Sequence, residues 1–175
     1  VRYGYMMVRD LSQPIPELAL PDGVALRPLG SGRLRVVYDA MNEAFRDHWG
    51  HRESTESDRQ RFQAWPDMQP EHWQLAWDIA SNELAGGVHA NVFPKENAQF
   101  GMQRGWTDPV YVRRPWRKRG LARALLARAL LKLKELGMTE AALGVDAQNP
   151  NGALGLYESL GFRQLKRWVT YRKAI

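Results

Sequence analysis

Five cations, Arg113, Arg114, Arg117, Lys118 and Arg119, fall within seven positions and run straight into Gly120. Guanidinium and ammonium groups at that density suit an anion, and a glycine lets the anion approach the backbone closely. A compact diphosphate, a nucleic acid and a plain solvated surface all fit the charge. The run interrupts a strand-to-helix turn and no nucleic-acid recognition motif accompanies it, so a discrete phosphate site is favoured. His48 and His51, three apart beside Asp47 and Glu53, have a spacing that permits a metal in principle. No further ligand cluster is visible, so they read as loop histidines and no metal is expected. The chain has no cysteine, which removes disulfides, thiolate metal sites and a cysteine acyl-enzyme.

These groups need elements to hold them. Trp106 to Val112 reads as a central strand, with Pro109 marking a bulge or a missing ladder bond. From Leu121, the residues Ala122, Leu125, Leu126, Ala129, Leu130, Leu133 and Leu136 recur at helical spacing, and Gly137 stops the helix. The unpaired N–H groups and positive dipole at its start make the turn from Arg117 to Ala122 an anion site. Upstream, Val24 to Leu29 reads as a strand, Leu34, Val37, Met41, Ala44 and Phe45 as the apolar stripe of a helix, and Thr55 to Trp65 as a second, capped helix. Strands follow at Trp73 to Ala80 and Leu84 to Phe93, then a polar loop from Pro94 to Arg104. Ala141 to Val145 reads as a buried strand and Ala153 to Leu160 as a short helix ending at Gly161. Phe162 to Arg167 and Val169 to Arg172 read as a closing antiparallel pair.

At 175 residues, 44% hydrophobic and 25% charged, the chain has room for a globular core. The formal charge of +6 points to anionic partners. No apolar run approaches the roughly 20 residues of a membrane span, and the first residues do not form a signal peptide, so a cytoplasmic setting is the expectation.

Arg117, Gly120 and Ala122 spell Arg, two residues, Gly, one residue, Ala, between a Val-x-Val strand and an amphipathic helix. Asn149 to Phe162 adds an Asn, then Leu156-Tyr157, then Gly161-Phe162. In these two stretches, in this order, the sequence resembles the GNAT superfamily of acyl-CoA-dependent N-acetyltransferases. The resemblance implies an α/β (α+β) fold, a mixed, mostly antiparallel central sheet flanked by helices on both faces. It implies acetyl-CoA held by the backbone of Val110, Tyr111 and Val112 and by the loop of Arg117, Lys118, Arg119, Gly120, Leu121 and Ala122, with Arg114 or Lys118 reaching the 3′-phosphate. Asn149 or Asn151 contacts the cofactor or caps the short helix. Tyr157 holds the position from which the family commonly protonates the departing thiolate, and a phenol with a pKa near 10 can do so at neutral pH. Asp108 or Glu43 takes the proton of a small-molecule or peptide amine. Residues 1–22, an aromatic strand, Arg9-Asp10-Leu11 and a proline linker, resemble the junction in tandem proteins of the mycothiol synthase type, ahead of an acyltransferase domain at 23–175; an ordinary N-terminal arm is the alternative. On the first reading the strand pairs outside the domain's own sheet, against a preceding GNAT domain or a second copy.

Overall fold

The computed structural model describes residues 1–148 and 152–171. Asn149 and Asn151 therefore lie outside the described residues. Seven strands form one sheet in the order β2-β3-β4-β5-β6-β1-β7: β1 (Arg2–Asp10), β2 (Val24–Leu26), β3 (Gln74–Asp78), β4 (Leu84–Val92), β5 (Arg104–Val112), β6 (Glu140–Asp146) and β7 (Arg163–Thr170). All pairs are antiparallel except β5 with β6.

Two cores lie on opposite faces, as the alternation of β3 requires: Ala76 packs with one, Leu75 and Trp77 with the other. On the first face α4 (Leu121–Glu135) sinks Leu125, Leu126, Leu130 and Leu133 against the sheet, together with Tyr157 of α5 (Ala153–Ser159). Full burial of each leucine is worth about 1.5–3 kcal/mol. Gly105 leaves the room that Leu133 fills, since a Cβ there would lie 2.4 Å from its methyl. On the second face α1 (Leu34–Ala44) lays Val37, Ala40 and Ala44 over Trp73, Trp77 and Tyr111. α2 (Glu56–Gln63) begins on a capping box in which Thr55 accepts from the Asp58 N–H and Asp58 returns the bond. Phe62 carries it onto the same core.

Three expectations change. Pro94–Phe100 is a helix, α3, ended by Gly101 in the left-handed region. Its short length and polar sequence hide the periodicity, and the signals that remain are Pro at the first helical position and Gly just past the end. The closing hairpin is instead one strand, β7, whose partner is β1. And β1 does not pair outside the sheet: it is bonded to β6 on one side and β7 on the other, with Met7 and Val8 in the core. The proline segment behind it is no free linker either. Leu11 is buried, Ile15, Leu18 and Leu20 pack on the first core, and the Arg9 guanidinium ties the Leu160, Asp10 and Pro14 carbonyls together.

Candidate active site

β5 and β6 run side by side only from Arg104/Glu140 to Trp106/Ala142. Beyond that they part, and Asp108 bridges the opening by accepting the Gly144 N–H at 3.2 Å. Arg113 N–H bonds Ala85 of β4, so the alternation of an antiparallel ladder turns the N–H groups of Val110 and Val112 away from β4 and toward the gap. The Tyr111 ring goes to the opposite core, its hydroxyl 3.3 Å from His89 Nε2. A cavity of about 540 Å³ opens at the gap, lined by Val110, Val112, Lys118, Gly120, Leu121, Ala122 and Tyr157 among others. A smaller one of about 280 Å³ adjoins it, bounded by Asp108, Gly144 and Asp146; the two share Phe45, His48, Val110 and Tyr157.

The turn before α4 is wound by two left-handed residues, Lys118 at φ 58° and Gly120 at φ 80°. The first intrahelical bond runs from Ala124 N–H to Gly120 O, so the N–H groups of Leu121, Ala122 and Arg123 have no partner inside the helix, and these three residues line the larger cavity. A Cβ on Gly120 would meet no atom within 4 Å, so open space lies against the bare amides.

The cations of the basic run are mostly bonded to the protein itself. Arg117 donates to Val112 O at 3.0 Å, Ala44 O at 2.8 Å and Asp47 at 2.7 Å, clamping the turn to the end of α1. Arg114 also pairs with Asp47, and the two guanidiniums hold that carboxyl down at about 2. Arg113 pairs with Glu43 at 2.8 Å and Glu83 at 3.3 Å and lies over Trp116; Arg119 donates to Asp22 O. Among the described residues of the run, Lys118 alone has neither ion pair nor hydrogen bond, and it is exposed. The expected anion site is therefore built of backbone amides with Lys118 beside them, and the remaining cations brace it.

Tyr157 and Asp108 come together at the junction of the two cavities. Burial, and after it the Asp108 charge, pushes the Tyr157 phenol above its ordinary range, which keeps it protonated. Its hydroxyl has no partner among the described residues. Asp108 is exposed at the opening of the sheet; the protein around it raises its carboxyl, and the Gly144 N–H offsets this in part. Glu43 is elsewhere: paired with Arg113, it lines neither cavity. His48, read from the sequence as a loop histidine, lines both cavities, and its pKa is lowered first by burial, so the imidazole is held neutral. Its place depends on the turn after α1 facing Gly144 to Asp146 of β6 across the smaller cavity, which no local pattern announces. His51 sits one turn on, its N–H bonded to His48 O at 3.0 Å, and the described residues contain no group of three or more His, Asp or Glu able to hold a metal.

Residues 34–162 match the Acetyltransferase (GNAT) family, and the chain belongs to that family, whose acetyl donor is acetyl-CoA. The mycothiol acetyltransferase of Thermobispora bispora is 35% identical over 97% of this chain and 56% of its own length; that of Kocuria rhizophila is 33% identical over 97% and 59%. A GCN5-related N-acetyltransferase from Sphaerobacter thermophilus superposes with a TM-score of 0.77 at 32% identity, covering 95% of this chain and 50% of that one. The chain thus spans little more than half the length of the curated relatives it matches.

Proposed function

We propose that this domain transfers the acetyl group of acetyl-CoA to an amine by direct attack within a ternary complex. The observation that carries the reading is the continuity of the two cavities: free amides line one end, a raised carboxyl the other, and a protonated phenol lies between them. Acetyl-CoA supplies an acetyl group activated as a thioester. The Leu121, Ala122 and Arg123 amides, with Lys118, hold the diphosphate. The N–H groups of Val110 and Val112 steady the thioester and donate to its carbonyl oxygen as charge develops there. Asp108 accepts the proton of the attacking amine, directly or through a water, and Tyr157 gives its proton to the departing sulfur. His48, neutral and at the same junction, orients the amine. Glu43 has no part in this scheme; its work is the ion pair that fixes Arg113.

Release of CoA from acetyl-CoA, scored across simple amines, amino-sugars, aminoglycosides, peptides and the acceptor of the mycothiol acetyltransferases, tests the reading. Amine-dependent release supports it. Release with none of them, from protein that binds acetyl-CoA, overturns transfer by this domain alone.

A further inference from the structure

The acceptor end of the cleft has a feature that the transfer chemistry does not call for. Trp168 of β7 pairs directly with Gly4 of β1, which pairs with Asp146 of β6. Cross-strand partners share a face, so Trp168, Gly4, Asp146 and, two residues back, Gly144 lie on one face of the sheet; Gly144 and Asp146 bound the smaller cavity, and Trp168 lies just outside it, against Gly144. The indole lies flat across Gly4: a Cβ there would fall 2.2 Å from its ring. It reaches on to Gly144, where the point a Cβ would occupy is 3.5 Å from the indole Cη2 and 3.4 Å from Asp108 Oδ2. Two glycines on neighbouring strands thus make a bed for one ring, and both the ring's leading edge and the Asp108 carboxylate close on Gly144. Trp168 is still 44% exposed.

Resting on the acetyl-transfer reading above, we infer that Trp168 is the floor of the acceptor subsite and selects primary amines carried on a ring, whose flat or apolar face stacks on the indole while the amine meets Asp108. A ring lying on the indole is held by the area it covers and by the face-to-edge preferences of π systems. An open-chain amine reaches the carboxylate without that support. The shared chemistry is a ring face, aromatic or saturated, and benzylamine and glucosamine separate the two.

The test compares wild type, Trp168→Ala and Trp168→Phe with benzylamine, glucosamine and ethanolamine, reading kcat and KM from CoA release and, on CoA-saturated protein, amine binding by calorimetry. Wild type should prefer at least one ring amine to ethanolamine, and Trp168→Ala should cut that preference about tenfold, through KM, as loss of one ring contact implies. Trp168→Phe should restore part of it. Preference for benzylamine alone marks a planar carrier, and for glucosamine alone a sugar ring. Gly4→Ala, which lifts the indole without removing it, should lose the preference as well. A Trp168 that only covers Gly4 would lower the melting temperature and weaken all three amines alike, and that result, or a wild type without preference, overturns the inference. Calorimetry needs no turnover, so a failure of acetyl transfer is distinguished from a failure of the floor.

Discussion

Tyr157 and Asp108 are pushed the same way by the protein around them, and the push suits the opposite jobs proposed for them. A phenol with a raised pKa keeps its proton until a thiolate needs it, whereas a carboxyl with a raised pKa takes a proton more readily than an ordinary aspartate. Replacing Tyr157 by Phe keeps the ring against Phe162 and removes the donor. Turnover should fall about 10²-fold or more with acetyl-CoA affinity unchanged, as steady-state kinetics and a binding titration will show. Asp108→Asn should abolish the acidic limb of the rate profile, which in wild type lies above the ordinary carboxyl range because the base must first lose its proton. The same substitution should stabilise the fold. A carboxyl whose folded pKa exceeds its unfolded one binds more protons when folded, so stability declines as pH rises from the unfolded value through the folded one. The gain in melting temperature over wild type should therefore be larger at pH 8 than at pH 5, and an equal gain at both would refute the raised carboxyl. Tyr157 and Asp108 stand out in the sequence, the first from its place in a motif and the second as a carboxylate in the central strand, and both line the smaller cavity. A sequence shows charges without their partners: Glu43 forms an ion pair with Arg113 outside both cavities, and Arg117, though it lines the larger one, directs its guanidinium to Val112 O, Ala44 O and Asp47.

The strand, turn and helix from β5 to α4 are plain in the sequence because each local rule agrees there: β-branched strand, proline, glycine, then helical spacing. In the proposed reading it is the backbone of that unit, more than its cations, that holds the anion. Gly120→Asp puts a carboxylate into the open space beside the unpaired amides and forces a side chain onto a φ of 80°. Acetyl-CoA should raise the melting temperature of wild type, as a ligand of the native state alone must, and should leave the variant unmoved. A retained shift would move the diphosphate elsewhere. Helix α3 escapes a local reading for a different reason: it is short and polar and carries no apolar period. Strand β7 is read as strand, but, exposed along nearly its whole length, its sequence does not tell one strand from two.

Long-range pairing is where the sequence is silent. An aromatic strand at residues 2–10 is easy to see, but nothing local says that its partners are residues 140–146 and 163–170. Removing residues 1–12 should strip β7 of its sole partner among the described residues, bare the edge of β6 and delete the buried Met7, Val8, Arg9 and Leu11. The truncated chain should lose cooperative thermal unfolding in calorimetry; a sharp transition near that of the intact chain would contradict the sheet order. The position of β1 also sets a schedule for biogenesis. Of the seven strands it leaves the ribosome first, yet Tyr5 must wait for Val145 and Arg2 for Thr170. At about 5–20 residues per second, that is on the order of ten seconds during which a strand bearing Tyr3, Tyr5, Met6, Met7 and Val8 is without its neighbours. Soluble yield should accordingly respond to translation speed and to chaperones that shield nascent strands, even while the finished fold is indifferent to both.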